Sequence, residues 1–217
     1  MDILPAVVLR CFESLGDNCE LGFVQRANGY EDGGLFRWSI SPLDSLIHCF
    51  DTDFRDLYLF DNLEPSAPDM VRDVATGLMF HTRMHSVDGQ FVLGDTARRE
   101  IYADEMSKID HLLSKFRRRT REPGTICVYK RNSGVTDSEA QRLQQSINKL
   151  GPSMLLVVRS TDDPARWSTV EQSNSGFLVG FVDAFAPYFA ADQISFRIWN
   201  LVLQKTYDLL FRHGQVA

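Results

Sequence analysis

Residues 125–158 constrain the fold more than any other stretch. Thr125-Ile126-Cys127-Val128-Tyr129 is a short apolar, β-rich run after Pro123-Gly124. Thr136-Asp137-Ser138-Glu139 then offers a capped helix start, and the helical pattern runs to Leu150-Gly151-Pro152. Met154-Leu155-Leu156-Val157-Val158 is a second apolar run. Strand, helix and strand over this length predict a βαβ unit. Its strands should be parallel, adjacent or near-adjacent, and joined by a right-handed crossover.

Other segments extend this pattern. Ala6-Val7-Val8-Leu9 reads as a strand, and Cys19 to Arg26 as a helix behind a tight turn of Ser14, Gly16, Asp17 and Asn18. Ser41-Pro42 opens a helix whose Leu43, Leu46, Ile47 and Phe50 fall at helical spacing, and 53–59 reads as a weaker helix. Residues 65–68 read as a loop, and 70–74 with 77–81 as a hairpin. Asp88-Gly89 is a turn, 96–119 the longest helix, 176–182 a strand and 192–212 a closing helix. The expectation is an α/β layered domain over residues 1–217, with a central mixed, partly parallel sheet flanked by helices.

Bulk properties narrow the function classes. A net charge of −6 argues against nucleic acid as the main ligand. The run Arg117-Arg118-Arg119-Thr120-Arg121 closes a helix, where cations suit the dipole. No apolar run reaches the ~18 residues of a membrane span. The cysteines at 11, 19, 49 and 127 lack C-x-x-C spacing, which fits free thiols in a reducing, cytoplasmic compartment. A small-molecule, peptide or glycan substrate is expected, with no cofactor and no metal. His81-x-x-x-His85 has Thr82 where a metalloprotease motif needs glutamate.

Cys19 sits in the first turn of a helix behind a strand, where free N–H groups favour a thiolate. The alternative is a small buried hydrophobe. A cysteine nucleophile needs a base. His48, His111 and His213 lie on or near helices, whereas His81 ends the strand-like Leu78-Met79-Phe80 and is the preferred base. Gly33-Gly34-Leu35-Phe36-Arg37-Trp38 either packs aromatics on the core or places Arg37 and Trp38 in a substrate site.

The block 12–26, then Gly34-Leu35-Phe36-Arg37-Trp38 and Ser41-Pro42-Leu43, resembles the papain-like cysteine peptidase family known as domain of unknown function 1796. Phe80-His81-Thr82 and the stretch 180–188 are also similar to segments of its bacterial members. The resemblance implies Cys19 as thiolate nucleophile and His81 as base. Asp183 is the first choice for the orienting group and Asn132 the second. Amide groups around Gly16 to Glu20 would hold an oxyanion, and Asn18, Arg37 and Trp38 would contact substrate. It further implies a bacterial cell-surface glycan setting. The βαβ pattern departs from the papain-like pairing of a helical half with an antiparallel barrel. Two expectations follow: a cysteine-dependent hydrolase or acyltransferase, or a glycan-binding or glycan-active module in which Cys19 is structural.

Overall fold

The computed structural model describes residues 3–211. In chain order the elements are α1 (Ala6–Leu9), β1 (Phe12–Ser14), α2 (Glu20–Ala27), β2 (Ser39–Ile40), α3 (Leu43–Asp51), β3 (Leu63–Ala67), β4 (Met70–Asp73) and β5 (Met79–His81). Then come β6 (Ser86–Val87), β7 (Gln90–Phe91), α4 (Asp95–Arg121), β8 (Ile126–Lys130), α5 (Asp137–Leu150), β9 (Met154–Ser160), β10 (Val170–Gln172), β11 (Leu178–Val182) and α6 (Phe196–Phe211).

The main sheet has the order β1-β8-β9-β11-β10. Its first four strands are parallel, and β10 runs antiparallel at the edge. The βαβ expectation holds: β8 and β9 are adjacent and parallel, and α5 joins them behind a Thr136/Glu139 capping box. Strand alternation divides the core in two. Cys127, Tyr129, Leu155 and Val157 face Leu46, Phe116 and Leu143 of α3, α4 and α5. Ile126, Val128, Leu156 and Val158 face Leu9, Val24 and Trp199 of α1, α2 and α6. Both faces are covered, which is why β8 and β9 read as continuous apolar runs. A second, antiparallel sheet of order β2-β5-β4-β3 is built from the chain between α2 and α4.

Four local expectations are corrected. Residues 6–9 form one helical turn, with the amides of Val8 and Leu9 bonded to the carbonyl of Pro5. Four apolar residues are too few to reveal a period, and Val7 faces solvent. Residues 53–59 are successive turns with Asp53, Phe54, Asp56 and Tyr58 at positive φ. Burial of Phe54, Leu57 and Tyr58, and the bond from the Tyr58 amide to Asp73 Oδ2 (2.9 Å), override helical propensity there. Residues 65–68 were expected as a loop, but β3 reaches Ala67. Pro65 is tolerated because β3 is an edge strand with an irregular register. The closing helix starts at Phe196, after a 3₁₀ turn at Tyr188–Ala190, rather than at 192. Arg212 and His213 lie outside the described residues. Among the described residues, no helix is long and apolar enough to cross a membrane.

Candidate functional site

The turn after β1 is held in an unusual conformation. Gly16 and Asp17 both have φ of 83°, a region costly for a residue with a side chain. A Cβ at Gly16 would lie 2.9 Å from Ser41 Oγ, so glycine also permits the close approach to β2. Asp17 is held in place by Tyr188 Oη (2.5 Å) and the amide of Asn132 (3.3 Å), both donating to its Oδ2. Asn18 Oδ1 accepts from the Glu20 amide (3.0 Å), while its Nδ2 is buried without a hydrogen-bond partner among the described residues. Cys19 is the N-cap of α2, as the sequence predicts to within one residue.

Behind Cys19 lies a buried ion pair. Lys130, the last residue of β8, bonds Glu20 Oε2 at 2.8 Å, and both side chains are almost wholly enclosed. Trp199 Nε1 (3.0 Å) and the Ala186 amide (3.3 Å) also donate to the Glu20 carboxylate. Burial pushes the Cys19 thiol above its ordinary range, and the nearby Lys130 ammonium offsets this only in part. Burial thus disfavours the Cys19 thiolate in this conformation. Its alkylation by iodoacetamide should keep climbing with pH beyond about 8.5, the ordinary thiol pKa. A rate plateau below pH 8, resolved at Cys19 by mass spectrometry, would contradict this.

His81 stands elsewhere. It ends β5, half exposed, with Nδ1 3.9 Å from Asp69 Oδ2. Gly16 abuts Ser39 and Ser41, and β2 pairs with β5, so β2 lies between the Cys19 turn and the strand of His81. Among the described residues, Cys19 and His81 share no hydrogen bond. Asp183 does not orient His81 either: its Oδ2 accepts from Ser195 Oγ at 2.5 Å. Asn132 is engaged with Lys130 Nζ (2.5 Å), the Ala186 carbonyl (2.8 Å) and Asp17. Asn18, Cys19, Asn132 and Asp183 thus gather at the carboxyl end of the parallel sheet, where open α/β sheets commonly carry their sites. His81 does not join them.

His81 is instead brought together with Trp38. Ser39 pairs with Phe80 across β2 and β5, so the preceding Trp38 and the following His81 reach the same end of the pair. Both line a cleft of about 340 Å³ with Tyr58, Thr82, Glu105 and Lys108. Glu105 lies buried in its wall and accepts from Tyr58 Oη (3.0 Å), Thr82 Oγ1 (2.9 Å) and the Arg83 amide (2.8 Å). Trp38 packs edge-on against Phe23 at 5.2 Å, with the Arg26 guanidinium 4.4 Å from its ring centre. Arg37 is turned away from this cleft. It is buried, and it donates to the carbonyls of Asp32 (2.8 Å), Tyr30 (2.7 Å) and Gly22 (3.3 Å). A guanidinium has enough donors to clamp several loop carbonyls, and that is how Arg37 is used.

Sequence reasoning missed Glu105, Lys130 and Asp69. Two of them left a signal. Glu105 falls four residues from both Ile101 and Ile109 on the apolar stripe of α4, and Lys130 continues the buried alternation of Ile126 and Val128. Comparison of the chain with protein-family models, with curated proteins and with solved structures gives no match.

Proposed function

We propose that the chain binds a glycan-class ligand in the Trp38–His81 cleft, as a binding or glycan-active module. One observation carries this reading: strand pairing brings an indole and an imidazole to one mostly apolar cleft that also holds the Glu105 carboxylate and Lys108. Sugar rings present apolar C–H faces together with hydroxyls. A concave, largely apolar site with a few placed polar groups suits both. The surface-glycan setting implied by the sequence resemblance accords with this reading.

Titration calorimetry with a panel of bacterial oligosaccharides tests it. Trp38→Ala should weaken binding roughly tenfold or more, because a truncated aromatic anchor leaves its contact area unfilled. His81→Ala should weaken it as well. Trp167→Ala, placed outside the cleft, should not. Affinity indifferent to Trp38→Ala would count against the proposal.

The second reading is a cysteine-dependent hydrolase or acyltransferase. It is favoured by the place of Cys19, at the start of α2 beside Lys130. The thiol would attack a carbonyl, and the amides of the turn would hold the oxyanion. It needs a base close to the sulfur, and His81 would have to reach past β2 to serve. An esterase or peptidase activity lost in Cys19→Ala and kept in Trp38→Ala would favour this reading over the first.

A further inference from the structure

Residues 183–195, between β11 and α6, form a loop closed at its neck by the Ser195–Asp183 hydrogen bond. That is the form of a compact surface loop with its ends held together. Its middle is fastened across the β1–α2 turn. The Ala186 amide donates to Glu20, the Ala186 carbonyl accepts from Asn132, and Tyr188 Oη donates to Asp17. The Phe185 ring lies 4.8 Å from Lys130 Nζ, and the Tyr188 ring 5.7 Å. Phe189, in the middle of the loop, is 94% exposed.

Two buried polar atoms around this loop lack partners among the described residues: Asn18 Nδ2 and Asp183 Oδ1. Asn18 is 4% exposed. Folded proteins rarely leave such groups unpaired, and a ligand is one of the few things that satisfies them. An amide donor and a carboxylate acceptor together suit a small ligand that both donates and accepts hydrogen bonds.

We infer that the 183–195 loop is a lid over a second ligand site built on the β1–α2 turn, and that the Tyr188–Asp17 bond holds it shut over Cys19. The site is separate from the Trp38–His81 cleft, so the inference stands whether or not that cleft binds glycans.

Iodoacetamide, a small polar amide that also alkylates thiols, is the probe. Tyr188→Phe removes the clasp, and Ser195→Ala loosens the neck. Each should speed alkylation of Cys19 at fixed pH by roughly tenfold, the value of one charge-assisted hydrogen bond. Cys49 and Cys127, buried in the core, serve as internal controls and should stay inert. Faster labelling of Cys19 alone in both variants supports the lid. Unchanged labelling in both overturns it. Labelling that rises at Cys49 and Cys127 as well also overturns it, because the whole domain would then have loosened. So would a Cys19 that in the unaltered protein already reacts as fast as an unfolded thiol at the same pH.

Discussion

Lys130→Met should destabilise the protein by about 3–5 kcal/mol, because it leaves the Glu20 carboxylate enclosed without its counter-ion. The remaining donors, Trp199 Nε1 and the Ala186 amide, are neutral and cannot replace an ammonium. The double variant Glu20→Gln/Lys130→Met should recover most of the loss, since no charge is then left buried. The loss should also depend on pH. Burial raises the Glu20 pKa, and Lys130 is the main group pulling it back down. Without Lys130 the folded-state value moves further above the unfolded one. Between the two values the folded state binds more protons, so the stability of the variant falls as pH rises through them. Urea unfolding at pH 5 and pH 8 should therefore show the smaller difference from the unaltered protein at pH 5. A loss under 1 kcal/mol, or one equal at both pH values, would refute the prediction.

The second large effect is expected at Phe116. Its ring meets those of Phe36 (5.3 Å), Phe54 (5.7 Å) and Phe50 (5.8 Å), and its side chain is fully enclosed. It ties α4 to α3 and to the 53–59 turns. Phe116→Ala removes the centre of that cluster and should cost about 3–5 kcal/mol. For a chain of this size the melting temperature should drop by roughly 10 °C. Phe116→Leu keeps much of the volume and should cost less than half as much. Because α4 also carries Glu105 and Lys108, any affinity of the cleft should weaken along with stability. Calorimetric melting of the two variants decides the matter, and equal losses would contradict the packing argument.

The legible parts of the fold were those with a long, consistent pattern. The run 125–158 announces itself because β8 and β9 are buried on both faces and α5 carries its own cap. The 53–59 stretch could not be read locally, since its turns are fixed by Asp73 and by rings from α3 and α4. Within the site, the sequence picked out the turn at 16–20 and the aromatic Trp38. It paired Cys19 with His81 from the strand-end place of His81 and from the family resemblance, and neither says that β2 stands between them. Glu105 acquires its role from Thr82, 23 residues away, and Lys130 from Glu20 on a different element. Such roles belong to pairs, and a single position does not display them.

The insertion between α2 and α4 also governs the order in which this architecture can be made. Asp17 meets Asn132 across 115 residues, and Tyr188 across 171. During synthesis β1 emerges before β8 and waits for it, since β8 is its neighbour in the sheet. The β8–α5–β9 unit, by contrast, is local and can close at once. Closing a long loop adds little free energy per residue, about 0.6 kcal/mol for each doubling of its length. Its cost appears mainly as time, because distant segments must find one another before either is rewarded. The Cys19 turn is therefore synthesised well before Asn132 and Tyr188, and it is among the last parts of the fold to acquire its surroundings.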